Sequence, residues 1–448
     1  MTPKPRPPLP PGPYLVVGLA RSGVAAALAL RTRGLTVTGV DAGNAEDPAL
    51  AKAAGRLRAA GVEVRLDASG VDLAARARTL IKSPGVPQDA PAITAARSRG
   101  LRVLGELEFA WRLIPNEFVA VTGTNGKTTT TEWIGHVHRE AGLPVAVAGN
   151  VGTAASSLIG RLDDDVTVVC EASSFQLEDS VAFSPEAAVL LNLSPDHLDR
   201  HGTYQAYVAA KLRIFANQGN HDVAVAPANL GVEDLGGCAR RVTFGEGPGP
   251  EVSHRSGYLW WSEQPIVRVD EIALPGAHNV QNAMATAATC LARGINPEAV
   301  ATGLRTFAGV RHRLERVATQ QGVAWINDSK ATNVASTIVA LEAFDSPIHL
   351  IAGGRGKQQD FSPLAPLVAE HCRAVFVIGE AARELADALA HTGVPVHQAG
   401  DLASAVALAR GAAVAGEVVL LSPACASFDQ YSDFEARGDH FRALVEAA

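Results

Sequence analysis

Short apolar runs alternate with helical-period segments along most of this chain, the pattern of parallel strands covered by helices. Tyr14–Val17, Leu35–Val40 and Thr79–Lys82 read as strands in the first hundred residues; Val24–Arg33, Ala49–Ala60 and Ala90–Arg99 read as helices. A second α/β region begins near Glu106, with strands predicted at Phe118–Val121, Val166–Cys170, Ala187–Leu191 and Val223–Ala226 and a helix from Thr129 to about Glu140. Residues 239–274 break the rhythm. They predict short antiparallel strands at Arg241–Phe244, Tyr258–Ser262 and Ile266–Leu274, then a helix from about His278 to Arg293. A third α/β region starts near Gly309, with strands at Val323–Ile326, Ile348–Ile351, Ala374–Ile378 and Val418–Leu421. The expected architecture is α/β in three consecutive domains, 1–105, 106–308 and 309–448, behind a disordered Pro-rich leader at 1–13.

Composition narrows the class. A chain of 448 residues exceeds one ordinary core, and 47% hydrophobic with 19% charged residues suits a folded soluble protein. The net charge of −7 argues against nucleic acid as a partner. Five scattered cysteines without CxxC spacing fit reduced thiols better than disulfides or zinc, which points to the cytoplasm. Seven prolines within the first thirteen residues and Arg21 inside the next apolar stretch oppose a secretion signal. No apolar run is long enough for membrane insertion.

The densest chemistry lies in Thr122-Gly-Thr-Asn-Gly-Lys-Thr128, between a predicted strand and a predicted helix. Glycines at 123 and 126 let backbone N–H groups turn inward around phosphate oxygens; Lys127 would reach the β/γ-phosphates and Thr128 would ligate Mg²⁺. The stricter triphosphate-loop spacing wants a glycine at Val121, so a plain Gly-rich turn before an exposed lysine is the alternative. Gly18-Leu-Ala-Arg-Ser-Gly23 with Asp41 is nearly a dinucleotide fingerprint, but Ala20 occupies the middle glycine position and disfavours NAD.

Further candidates follow other predicted strands. Glu171 is either a Mg²⁺ or water-positioning carboxylate or a capping acid. Asp196, His197, Asp199 and His201 crowd one loop, as metal or phosphate groups or as helix caps. Lys211 faces either solvent or that loop. Asp328, Lys330, Thr332 and Asn333 form a polar cluster; Ala352-Gly-Gly-Arg-Gly-Lys357 is a second Gly-rich turn; Ser422–Gln430 follows the last strand. Open α/β sheets bind ligands at this edge.

Read in order, these segments resemble the Mur ligase family. The resemblance rests on Thr122–Thr128, Gly149-Asn-Val-Gly152, Glu171–Gln176, Asp196-His-Leu-Asp199, Ala210-Lys-Leu-Arg213, His278-Asn279, His312-Arg313, Asn327–Asn333 and Ser422–Ser427. It spans nearly everything beyond the leader, and Asn-Asp-Ser-Lys-Ala-Thr-Asn resembles the members that add D-glutamate. It implies a Rossmann-like N-terminal domain for a UDP-linked substrate, a central P-loop-type ATP-binding domain and a Rossmann-like C-terminal domain for the amino acid. The implied reaction is ATP-dependent ligation of D-glutamate to UDP-N-acetylmuramoyl-L-alanine through an acyl phosphate, by a monomer.

The implied residues fall on matching positions. Gly123, Thr124, Asn125, Gly126, Lys127, Thr128 and Thr129 would cradle the ATP phosphates, with Asn279, Asn282, Arg313 and Asp328 completing the nucleotide contacts. Thr128 and Glu171 would hold one Mg²⁺ and His197 a second, and Lys211 matches a lysine carried as a carbamate formed with CO₂. Lys127, Glu171, His197 and Lys211 thus form the implied catalytic set. Arg21, Ser22, Asp41, Ser83, Asn150 and His197 would contact the UDP-linked substrate; Lys330, Thr332, Lys357, Ser427 and Phe434 would hold D-glutamate. The chain departs from the family pattern at Ala20, at Ala42-Gly43 and at Arg355, where an acid can stand.

Overall fold

The computed structural model describes residues 4–150, 152–356 and 359–447, and of Asp199 the backbone only. The chain divides into two compact units, residues 1–307 and 308–448. Among the described residues three sheets form, two in the first unit and one in the second.

The first sheet is parallel, in the order β3-β2-β1-β4-β5: β1 Tyr14–Val17, β2 Val37–Val40, β3 Glu63–Arg65, β4 Thr79–Lys82, β5 Arg102–Gly105. All four residues of β1 and of β4 are buried, as expected of strands covered on both faces. The loops after β1 and β4 leave side by side, where the order reverses.

The second sheet runs β14-β13-β12-β11-β10-β9-β6-β8-β7. Its strands are β6 Phe118–Thr122, β7 Val145–Gly149, β8 Thr167–Glu171, β9 Ala187–Leu190, β10 Val223–Pro227, β11 Arg240–Glu246, β12 Val252–Arg255, β13 Tyr258–Trp261 and β14 Gln264–Arg268. Strand β6 pairs in parallel with β8 on one side and β9 on the other, so the loops following all three emerge together. The helix Lys127–Glu140 follows β6 directly and buries Trp133, Ile134 and Val137. The Trp133 indole N–H donates to the Gly303 carbonyl at 2.9 Å and its ring stacks on Phe307. One apolar core runs from Val16 and Leu30 beside the first sheet to Phe118 and Leu190 in the second, so the two sheets share their packing.

The second unit holds β15 Glu315–Gln320, β16 Val323–Asn327, β17 Ile348–Gly353, β18 Cys372–Ile378, β19 Val396–Gly400 and β20 Val418–Leu421, in the order β15-β16-β20-β17-β18-β19. Only β15 is antiparallel among these described strands. Two apolar layers flank this sheet, one including Leu350, Val375 and Leu420, the other Trp325, Ile351 and Phe441.

Three expectations are corrected. The 239–274 segment is not simply antiparallel: β11 pairs in parallel with both β10 and β12, and only β12, β13 and β14 form a meander. The expected strand through Leu274 stops at Arg268, where a single 3₁₀ turn, Val269–Glu271, takes over. The leader is ordered from Lys4. Lys4 pairs with Asp222 at 2.5 Å, and Arg6 pairs with Glu186 at 3.0 Å while lying 4.5 Å from the Trp111 ring centre. The Pro8, Pro10 and Pro11 carbonyls accept from Arg112, Tyr14 and Thr79. Proline richness removes donors but leaves carbonyls and fixed φ angles, which suits a strap held by side chains from the body of the unit.

Candidate active site

In the first unit the Gly-rich loop bends sharply between β6 and its helix. Gly126 has φ +84°, and a Cβ there would lie 2.3 Å from Asn282 Oδ1, so only glycine lets the helix Ala277–Ala292 approach the loop. Asn282 in turn accepts from Thr130 and donates to Asn279 Oδ1, which puts both predicted nucleotide asparagines beside the loop. The Gly126 cap makes no side-chain hydrogen bond, so this helix N-terminus presents its backbone dipole to an anion. Thr124 and Asn125 are tied to the loop after β9: their amides donate to the Asn192 carbonyl and to Asn192 Oδ1.

The chemical groups gather on that loop. Thr128 Oγ1 donates to Glu171 Oε2 at 2.7 Å, and both residues are buried. Asn150 Nδ2 donates to the other Glu171 oxygen at 3.0 Å. This hydroxyl–carboxylate pair is the hard oxygen donor set that suits Mg²⁺. Lys127 Nζ folds onto its own loop, donating to the Gly123 and Thr124 carbonyls at 3.0 and 2.8 Å. Lys211 does not face solvent: it is 1% exposed and donates to the Gly123 carbonyl of the Gly-rich loop at 2.6 Å. Burial, and then the Lys127 charge, lower its pKa to about 7. His197 adopts φ +50° at the start of a short helix, half exposed, with its ring 4.8 Å from that of Phe175 and 3.5 Å from Asp196 Oδ2. Among the described residues no group of three His, Cys, Asp or Glu side chains converges as a ready metal centre.

A cleft of about 540 Å³ opens where β1 and β4 end in the same unit. Arg21, Ser22, Asp41, Ser83 and Asn150 all line it, residues from four separate stretches of the chain. Asp41 Oδ2 accepts from the Leu19 amide at 2.6 Å, and Ser83 Oγ donates to the Gly18 carbonyl at 2.7 Å, so both also fix the first turn. Gly23 is obligatory for that turn, because a Cβ would lie 1.8 Å from the Gly18 oxygen. Gln176 lines the cleft as well; its motif was noticed in the sequence but it was given no role.

In the second unit the loops after β16, β17 and β20 share an edge. Asp328 is buried, its two oxygens accepting from Ser422 Oγ at 2.8 Å and from the Leu314 amide at 3.2 Å. Burial pushes its pKa up to about 7 against the opposing hydrogen bond from Ser422. Lys330 and Thr332 follow on the same loop, Lys330 N–H donating to the His312 carbonyl; Ser427 is buried, and Phe434 opens the last helix. Arg313 is exposed. Arg355 pairs with Glu380 at 3.1 Å, an acid on the neighbouring strand's loop. Lys357 lies outside the described residues. Sequence reasoning passed over Arg437. It is 1% exposed and donates to Ser329 Oγ and to the Ser329, Gly353 and Cys425 carbonyls, fastening three loops. Nothing in the pattern of its helix sets this arginine apart from the surface ones.

Known proteins are similar to this chain over most of its length. Residues 121–290 match the Mur ligase middle domain, and residues 312–425 match the Mur ligase, glutamate ligase domain. The chain is 43% identical over 449 residues to the UDP-N-acetylmuramoylalanine--D-glutamate ligase of Acidobacterium capsulatum, covering 97% of this chain and 96% of that protein. It is 41% identical to the protein of the same name from Koribacter versatilis, with 96% of each covered. Among solved structures, the fold resembles UDP-N-acetylmuramate-alanine ligase from Thermotoga maritima, with TM-score 0.60 and 22% identity over 97% of this chain and 99% of that one.

Proposed function

This chain belongs to the Mur ligase family, and from that premise and the site geometry we infer that it is an ATP-dependent ligase that joins D-glutamate to UDP-N-acetylmuramoyl-L-alanine in peptidoglycan precursor synthesis. The observation that carries this reading is the convergence of Lys127, Thr128, Glu171 and Lys211 on the Gly-rich loop. A carboxylate is a poor electrophile. Transfer of the γ-phosphoryl group to the carboxylate of the L-alanyl end gives an acyl phosphate and ADP. The amine of D-glutamate then attacks the acyl carbon, the amide forms, and phosphate leaves with the C–O bonding pair.

The protein's own part is to position and neutralise. Gly123 to Thr129 hold the phosphates, Lys127 turning from its loop carbonyls toward the transferring group. Asn279, Asn282, Arg313 and Asp328 contact the nucleoside. Thr128 and Glu171 would hold one Mg²⁺, and His197 would hold a second. Bound Mg²⁺ supplies charge neutralisation at the phosphoryl group. An ammonium on Lys211 would oppose a cation beside it. The lowered pKa leaves a neutral amine available at neutral pH, which supports a Lys211 carbamate formed with CO₂. The cleft at β1 and β4 takes the UDP-linked substrate through Arg21, Ser22, Asp41, Ser83 and Asn150; His197, which does not line this cleft, is assigned to the same substrate by the family resemblance alone. Lys330, Thr332, Ser427 and Phe434, with Lys357, make the D-glutamate pocket.

On this reading residues 1–105, 106–308 and 309–448 are the UDP-substrate, ATP and amino-acid domains of a cytoplasmic monomer. Supporting the location are five cysteines, none of them paired among the described residues, and the absence there of any helix long and apolar enough to cross a membrane. The deciding experiment is ligation of UDP-N-acetylmuramoyl-L-alanine with ATP against a panel of D- and L-amino acids. ADP and phosphate release matched by amide formation with D-glutamate is expected; preference for a diamino acid, L-alanine or L-glutamate would move the chain to another branch of the family.

A further inference from the structure

The first unit carries a buried charge network that none of the roles above uses. Lys82, the last residue of β4, is fully buried, and its Nζ lies 2.6 Å from Asp179 Oδ2 and 3.8 Å from Glu178 Oε1. Glu178 Oε1 also takes Arg200 Nη2 at 2.5 Å, and the same nitrogen donates to the Val86 carbonyl at 3.1 Å. The Arg200 guanidinium sits 4.2 Å from the Phe175 ring centre, and Phe175 is the ring that His197 rests on.

The placement is informative. Lys82 directly precedes Ser83, and Val86 lines the same cleft. Asp179 and Glu178 follow the short helix Ser174–Leu177, which itself follows Glu171 at the end of β8. Arg200 belongs to the loop of His197. Both Lys82 pairs and the Arg200–Val86 hydrogen bond therefore join the substrate cleft to segments of the phosphate site, while Arg200–Glu178 ties two of those segments together, at the edge where ligands bind rather than in the packing core. A buried ion pair recovers little net stability after desolvation, and an apolar pair of similar volume often stabilises as well or better. What the charged pair adds is one permitted geometry: a lysine held by two carboxylates on one segment cannot slide without stranding a charge.

We propose that Lys82 is a positioning residue for the ligation reaction, its buried pair with Asp179 fixing the substrate cleft in register with the phosphate loop. The proposal rests on reading that cleft as the site of the UDP-linked substrate. The carboxylate to be phosphorylated must lie within reach of the γ-phosphate, and a shift of about 1 Å costs orders of magnitude in rate. Two anchors span the gap: Lys82, next in sequence to the cleft residue Ser83, and Arg200, which holds the carbonyl of the cleft residue Val86.

The test uses the full chain. Lys82→Met alone leaves the buried Asp179 carboxylate without its close cation, with only Gln88 and the more distant Arg97 beside it, and is expected to lower the melting midpoint. The double variant Lys82→Met with Asp179→Leu removes both charges; Gln88 and Arg97, which contact Asp179 at the rim, can turn to water. The double variant is expected to melt within a few degrees of wild type and to keep its KM for ATP within about threefold. Its UDP-N-acetylmuramoyl-L-alanine-dependent formation of ADP is expected to fall at least about tenfold in single-turnover rate. A wild-type rate in a well-folded double variant overturns the proposal, as does an activity loss that merely tracks the melting midpoint of both variants. ADP formation is read over one turnover without an amino acid, with enzyme in excess, since the acyl phosphate then has no amine to consume it. A wild type that makes ADP with the UDP-linked substrate but ligates no D-glutamate sinks the amino-acid assignment, and leaves the Lys82 comparison readable.

Discussion

Lys211 and Lys127 donate to one acceptor, the Gly123 carbonyl oxygen, at 2.6 and 3.0 Å. Two ammonium groups gathered on a single oxygen repel each other, and Lys211 is buried besides, so the proton on Lys211 is the one that yields near pH 7. Replacing Lys211 by Ala is expected to lower ligation at least ~10²-fold, the scale of losing one preorganised electrostatic group. Formate or acetate in the assay is expected to restore part of it by standing in for the carbamate. Because the folded-state pKa is lowered, the neutral, carbamate-forming amine is abundant above about pH 7 and scarce below it. Wild-type activity should therefore decline on the acid side of 7, and an active alanine variant without added carboxylate would end the carbamate proposal.

Lys127 is expected to matter in a different way. Its ammonium already sits among loop carbonyls, a position it must leave to meet a phosphate. Lys127→Ala should reduce kcat by at least ~10²-fold while the KM for the UDP-linked substrate stays close to wild type, since the cleft lining does not include Lys127. Steady-state kinetics with each substrate varied separates the two parameters. Wild-type turnover in this variant would falsify the triphosphate-loop assignment.

Much of this arrangement was legible in the sequence because parallel α/β sheets write their strands as continuous apolar runs and place their loops on one edge. The run Phe118–Val121 before Gly123 and Gly126 was enough to locate the Gly-rich turn between strand and helix, and the structure adds only Thr122 to that strand. Local pattern could not tell which way Lys211 points, because a helical lysine followed by Leu212 and Arg213 fits either face. Nor could it find Lys82 or Arg437, whose partners Asp179 and Cys425 are distant in sequence or offer a backbone carbonyl that leaves no trace in residue type. The leader misled for a related reason: proline content signals disorder only when nothing else binds the segment, and Lys4 and Arg6 each find a carboxylate more than a hundred residues away.

Arg6 yields a stability prediction that spares activity. Its guanidinium is nearly buried, donating to the Asn116 carbonyl at 2.8 Å and pairing with Glu186 beneath Trp111. Asn116 and Glu186 precede β6 and β9, at the end of the sheet opposite the reacting loops. Arg6→Ala removes one partner of a desolvated pair and is expected to destabilise the first unit by about 3 kcal/mol. Chemical denaturation should register the loss, while kcat at 25 °C stays within about twofold of wild type. A variant as stable as wild type would reduce the strap to an ornament of the surface.

Asp328 gives the sharpest pH dependence. Burial raises its pKa from 3.8 to about 7, although Ser422 and the Leu314 amide both donate to it. The folded chain thus keeps a proton that the unfolded chain has already released between about pH 4 and 7. The stability this group contributes is complete below about 3.8 and is lost as pH rises through about 7, leaving an unpaid desolvation of the carboxylate above that pH. Asp328→Asn is isosteric, carries no charge at any pH, and keeps an oxygen to accept from one of the two donors. Calorimetry should find the variant's second unit near wild type at pH 5 and more stable than wild type at pH 8, the gap opening by on the order of 2–4 kcal/mol. If Asp328 makes the proposed nucleotide contact as a carboxylate, ligation should fall at pH 8 and much less at pH 5, where the wild-type group is protonated as well. Equal destabilisation at pH 5 and pH 8 would mean that Asp328 is ionised throughout and held by its donors, and the pH argument would be wrong.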